Sequence, residues 1–211
     1  MTDSAVPSPI RRWVESPAPR HEDRPLLVLM HGFGSNERDL PDLAAGLSTG
    51  LDWVSLRGPL DIEGGGAAWF PGAAMNGAGR DAIDPASASV LAWLDVHAAG
   101  RQVIPLGFSQ GGFMVTELLR HAPGRFPGGV ILSGFIAHPE LPGDDELAQR
   151  RPPVFFGRGD ADQRVTPDMF QQTETWLTAH TAATIRVYPG LGHAVAPQEV
   201  ADIDQFLNQI R

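Results

Sequence analysis

The chain has 211 residues, a one-domain length, and carries 16 basic against 25 acidic side chains for a formal net charge of −9. That balance argues against a nucleic-acid-binding stripe and a polybasic membrane anchor, and no apolar run approaches the ~20 residues of a membrane span. Cys is absent and every basic residue is Arg, which removes thiolate nucleophiles, disulfides, Cys-type zinc sites, Schiff bases and Ser-Lys dyads, and leaves covalent chemistry to Ser, Thr, Asp, Glu, His or Tyr.

Residues 1–24 read as an N-terminal extension with an edge strand near Ile10–Val14. The Arg11-Arg12 pair lacks the apolar stretch of an export signal, because Trp13-Val14 runs straight into Glu15-Ser16-Pro17. The expectation is a cytoplasmic protein. Residues 25–211 read as one domain in which apolar runs alternate with helical patterns. The spacing predicts strands at Leu26–His31, Trp53–Leu56, Gln102–Phe108, Gly129–Ser133, Val154–Gly157 and Thr184–Tyr188. Helices are expected at Asp39–Leu47, Pro85–Ala99, Gln110–His121, Asp144–Arg150, Thr166–Ala179 and Pro197–Ile210, with Asp84-Pro85 as a helix start. Unbroken apolar strands alternating with helices imply an α/β fold, a mostly parallel central sheet covered on both faces. In such sheets chemistry collects beyond the carboxyl ends of the strands.

One of those ends carries Gly107-Phe108-Ser109-Gln110-Gly111, the Gly-x-Ser-x-Gly nucleophile elbow, placed between a strand and a helix as it must be. Ser109 has to project from a tight turn, and small residues two before and two after let strand and helix approach. A nucleophilic Ser needs a base, and an acid to orient that base, in the order Ser, Asp or Glu, His. His121 and His180 end helices and His138 sits in the loop Phe135–Gly143. His193 lies between the last strand and the last helix in Gly190-Leu191-Gly192-His193, a loop able to bend toward the site, and is the expected base. The acid should follow the preceding strand, where Asp160 and Asp162 both stand; spacing does not separate them.

Met30-His31-Gly32-Phe33-Gly34, the Ser109 pentapeptide, Gly159-Asp160-Ala161-Asp162 with Val165, and Gly192-His193 together resemble the phospholipase/carboxylesterase branch of the α/β-hydrolases, from about Pro25 to the C-terminus. The resemblance implies a single-domain α/β-hydrolase without a large lid. It makes Asp162 the acid and leaves Asp160 structural, although Arg158 stands where the family usually has His and Gln163-Arg164 where Pro and an apolar residue are common. It also assigns an oxyanion hole to the backbone N–H groups of Phe33 and Gln110, and reads His31 as holding its loop. The long glycine-rich loop Gly58–Asp81 brings Trp69 and Phe70 to the expected substrate cleft, with Leu60, Phe135 and Ile136 as further candidates.

The activity so implied is that of a serine carboxylesterase acting on small or medium acyl esters through an acyl-enzyme. An acyl-protein or acyl-CoA thioesterase, a lysophospholipase or an esterase of carbohydrate-linked acyl groups would use the same residues. A non-catalytic ligand-binding module is the different-class alternative, against which an intact Ser, Asp and His set argues. No cofactor or metal is implied. The expected partner is a small acyl ester or thioester, and a homodimer is left open by the resemblance with no sequence feature to decide it.

Overall fold

The structure, a computed structural model, describes residues 9–17, 21–72, 80–136 and 140–210. Its strands are β1 (Trp13–Glu15), β2 (Leu26–Met30), β3 (Asp52–Leu56), β4 (Leu60–Asp61), β5 (Ala67–Ala68), β6 (Val103–Phe108), β7 (Gly129–Leu132), β8 (Pro153–Gly159) and β9 (Ala182–Tyr188). Its helices are α1 (Pro41–Ala45), α2 (Arg80–His97), α3 (Gln110–His121), α4 (Asp144–Arg150), α5 (Pro167–His180) and α6 (Pro197–Ile210). Seven strands form one sheet in the order β1-β3-β2-β6-β7-β8-β9. All neighbours run parallel except β1, which pairs antiparallel with β3.

The apolar strands make two cores at once. Along β2, Leu26, Val28 and Met30 face one side with Val54, Phe113 and Leu118, whereas Leu27 and Leu29 face the other with Leu106, Phe155 and Phe206. Side chains alternate across a strand, so an element covered on both faces must be apolar at every position. Residues of α2, α3 and α5 close the first face, and residues of α1 and α6 the second.

Three expectations change in detail. The edge strand is Trp13–Glu15, shifted along from Ile10–Val14 by its pairing of Val14 with Ser55. The segment after β3 contains a small hairpin, β4–β5, that its glycines had concealed. The helix expected to start at Asp84-Pro85 is already formed at Arg80, with Pro85 inside it. Proline removes one hydrogen bond to the residue four before it and so usually marks a start. Here the extra turn is pinned from outside, because Arg80 pairs with Asp84 on its own helix and with the buried Glu117 of α3.

Candidate active site

The register carries the site across the sheet. Leu56, Met30 and Gly107 lie in one row, and the chain leaves β3, β2 and β6 side by side at their carboxyl ends. Ser109 follows β6 with φ 55° and ψ −115°, a backbone conformation that side-chain-bearing residues rarely adopt. The turn is held there from both ends: the Ser109 N–H donates to the Leu132 carbonyl at 2.8 Å, and its carbonyl accepts from Phe113 N–H at 2.9 Å. Glycine is needed at two flanking positions. A Cβ at Gly107 would run into the Gly111 carbonyl, and one at Gly111 into the Met30 carbonyl.

Three distant side chains meet at this turn. The Ser109 Oγ lies 2.9 Å from His193 Nε2, and His193 Nδ1 lies 2.7 Å from Asp162 Oδ2. With the ring proton on Nδ1, imidazole donates to the carboxylate and accepts from the hydroxyl. Asp162 is fully buried at its side chain. Its other oxygen, Oδ1, accepts the N–H groups of Arg164 at 2.7 Å and Val165 at 3.2 Å, so its own loop holds it. Asp160 points elsewhere and accepts the Gly190 N–H at 2.6 Å, bracing the loop that leads to His193. The Phe108 ring packs against the His193 ring at 4.8 Å. His121 belongs to an ion-pair group with Asp84, and His180 Nδ1 bonds the Trp176 carbonyl; His138 lies outside the described residues.

The two N–H groups expected to face an oxyanion come from neighbouring strand ends. Gln110 is the first residue of α3, so its N–H is among those a helix start leaves without an intrahelical acceptor. Among the described residues the Phe33 N–H donates to no backbone acceptor. Its side chain is 46% exposed. His31 is fully buried. Its Nδ1 sits 2.7 Å from the Gly32 carbonyl and its Nε2 accepts the Gly58 N–H at 3.0 Å, an arrangement for the neutral ring with its proton on Nδ1. Burial holds its pKa below the ordinary histidine value despite the Gly32 bond.

The residues expected along a substrate cleft lie deeper than that. Trp69 is 1% exposed and Phe70 not at all, while Phe135 and Ile136 are buried in the same core; of the set only Leu60, in β4, reaches toward solvent. Trp69 packs beside His31, and Phe70 and Phe135 pack against Phe113. The Gln110 side chain is a feature that the sequence reading missed. It is buried and bonds to the Trp69 N–H and the Phe70 carbonyl. The pentapeptide had pointed to this residue for its backbone alone.

Among the described residues, one group offers metal-ligand atoms in close array, Asp84, Glu117 and His121. The Arg80 guanidinium already stands there, 2.7 Å from Glu117 Oε2 and 3.0 Å from His121 Nε2, so the positive charge comes from the chain itself. No helix is long and apolar enough to cross a membrane among those residues.

A family pattern described as Phospholipase/Carboxylesterase matches residues 13–211. Among curated proteins, the chain is 30% identical over 112 residues to acyl-protein thioesterase 1 of Debaryomyces hansenii, covering 52% of this chain and 48% of that one. It is 27% identical over 127 residues to a probable carboxylesterase, SOBER1-like, of Arabidopsis thaliana, covering 57% and 48%. The chain thus spans about half the length of the curated relatives it matches. Among solved structures, the Bacillus cereus carboxylesterase superposes with a TM-score of 0.82 at 20% identity, covering 95% of this chain and 94% of that one. Esterase PE8 superposes with 0.76 at 24%, covering 95% and 98%. At such identities these likenesses speak to the fold.

Proposed function

Because the chain belongs to the phospholipase/carboxylesterase family, we propose that it is a serine carboxylesterase hydrolysing small or medium acyl esters through an acyl-enzyme. The observation that carries this reading is the unbroken line of hydrogen bonds from Ser109 through His193 to Asp162. His193 Nε2 takes the hydroxyl proton as Ser109 Oγ attacks the acyl carbonyl, and Asp162 holds the ring in the required tautomer and stabilises the imidazolium. The carbonyl oxygen becomes an oxyanion facing the N–H groups of Phe33 and Gln110, fixed donors that need no reorganisation. The tetrahedral adduct collapses, the C–O bond to the alcohol breaks, and His193 returns the proton to the leaving oxygen. Water then attacks the acyl-enzyme by the same route and releases the carboxylic acid and free Ser109.

A thioester enters the same steps with a thiol as leaving group, and the likeness to an acyl-protein thioesterase makes it the second substrate to try. Ser109→Ala should lower p-nitrophenyl butyrate turnover by at least about 10³-fold with the fold retained. Wild type should take up one equivalent of a fluorophosphonate probe and the variant none. An unlabelled, inactive wild-type protein would instead favour the ligand-binding module, and wild-type turnover by Ser109→Ala would end the serine mechanism.

A further inference from the structure

Residues Ala67 to Phe70 lie between the two loops that present Phe33 and Gln110, and bond to both. On the Phe33 side, the Gly34 N–H donates to the Ala67 carbonyl at 2.9 Å, and the Ala67 N–H to the Ser35 carbonyl at 2.7 Å. The Trp69 indole N–H donates to the His31 carbonyl at 2.9 Å. These three bonds bracket Gly32 and Phe33. On the Ser109 side stands the Gln110 side chain, wholly buried. Its Oε1 accepts the Trp69 N–H at 3.0 Å and its Nε2 donates to the Phe70 carbonyl at 2.8 Å. One carboxamide therefore engages backbone groups of two consecutive residues, one as acceptor and one as donor.

The chemistry of that choice is specific. A methionine fills a similar volume with no polar group to desolvate, whereas a buried amide is tolerated only where its donor and acceptor are both matched. Phe33 is on a loop beyond β2 and is close to half exposed, so its own side chain gives its N–H limited anchorage. Two donors from different strands stabilise an oxyanion only if their separation is fixed beforehand, and a misplacement of roughly 1 Å costs on the order of 10²-fold in rate.

We propose that Gln110 is a positioning residue for the oxyanion hole, its carboxamide and residues 67–70 forming a clasp that fixes the Phe33 N–H relative to the Gln110 N–H. The proposal rests on the active-site reading given above. It also gives Trp69 a role as a buried link in that clasp.

The test compares wild type with Gln110→Met, Gln110→Glu and Trp69→Phe, using p-nitrophenyl butyrate kinetics, inhibition by an alkyl trifluoromethyl ketone, fluorophosphonate labelling and thermal unfolding. Gln110→Met should fold and label to one equivalent. Its kcat should fall roughly 10- to 100-fold with KM within about threefold, and its ketone affinity should fall in parallel with kcat/KM. Gln110→Glu keeps both bonds while its carboxyl is neutral, so its kcat relative to wild type at the same pH should be highest at the acid end of the range tested and fall as the acid ionises. Trp69→Phe keeps most of the ring and loses the bond to the His31 carbonyl; a kcat loss of roughly 3- to 10-fold is expected, and this variant decides the matter if Gln110→Met does not fold. A folded Gln110→Met, or in its absence Trp69→Phe, that melts earlier yet keeps kcat and ketone affinity would overturn the clasp and leave core packing. A raised KM at unchanged kcat would overturn it in favour of a substrate contact. Turnover that survives Ser109→Ala would sink the underlying active-site reading instead, so the two failures are distinguishable.

Discussion

Two aspartates separated by a single alanine point in different directions because their lone pairs are engaged differently. Asp162 gives one oxygen to its own loop and the other to His193, while Asp160 gives an oxygen to Gly190. Asp162→Asn should leave the fold in place but favour the wrong imidazole tautomer, lowering kcat on the order of 10⁴-fold. Asp160→Asn, measured beside it with p-nitrophenyl butyrate, should lose less than about tenfold, since an amide oxygen can still accept the Gly190 N–H. Ser109 and His193 were legible because local pattern carries them: a glycine-flanked turn between strand and helix, and a glycine-rich loop between the last strand and the last helix. The choice between Asp160 and Asp162 was not, since it depends on where a loop more than 25 residues downstream comes to rest. The burial of Trp69 and Phe70 was not legible either; sequence shows that a residue is aromatic, not which side of a loop it fills.

Among the elements, α3 bears the most constraints. Its first turn meets the strand ends through glycines, and its last turn ends in a buried ionic cluster. There Arg120 donates from Nε and Nη2 to the two carboxylate oxygens of Asp144, both at 2.8 Å, and lies 5.1 Å over the Trp176 ring. Burial works to raise the pKa of Asp144, but the Arg120 bonds and the Leu141 N–H outweigh it and hold the group below the usual carboxylate range. The cluster joins α3, α4 and α5 on one face of the sheet. Asp144→Ala leaves a guanidinium buried without its bidentate partner and should cost about 3–5 kcal/mol in denaturant unfolding. The parallel strands were readable from unbroken apolar runs. The start of α2 was not, because the turn before Pro85 depends on Arg80 reaching Glu117, a contact between helices that no local pattern encodes.

At the scale of the whole molecule, stability should depend on pH through one buried acid. Glu199, near the start of α6, is 1% exposed, and its Oε1 occupies the space that a side chain at Gly157 of β8 would need; Oε2 accepts the Ala196 N–H at 3.4 Å, while Oε1 has no hydrogen-bond partner among the described residues. Burial pushes its pKa up to about 7, with the Asp202 charge adding to the rise. A folded-state pKa above the unfolded one means that the native protein holds a proton the unfolded chain releases. The associated stability is complete below about pH 4.5 and is lost as pH rises through about 7, a change of about 3 kcal/mol. Buried His31, its pKa lowered, works in the opposite sense below about pH 6.5, so the test is the difference: from pH 5 to 8 the denaturant midpoint of wild type should fall relative to that of Glu199→Gln, and a difference that does not change with pH would assign the effect to another group. The dihedral angles at Ser109 have a different consequence for the molecule. Its backbone sits where glycine would be at ease, so thermal robustness and chemistry pull against each other at that one position. A collection of mutants sorted by heat alone would drift toward relaxing this bend and discarding its hydroxyl, whereas one sorted by turnover must keep the tension in place.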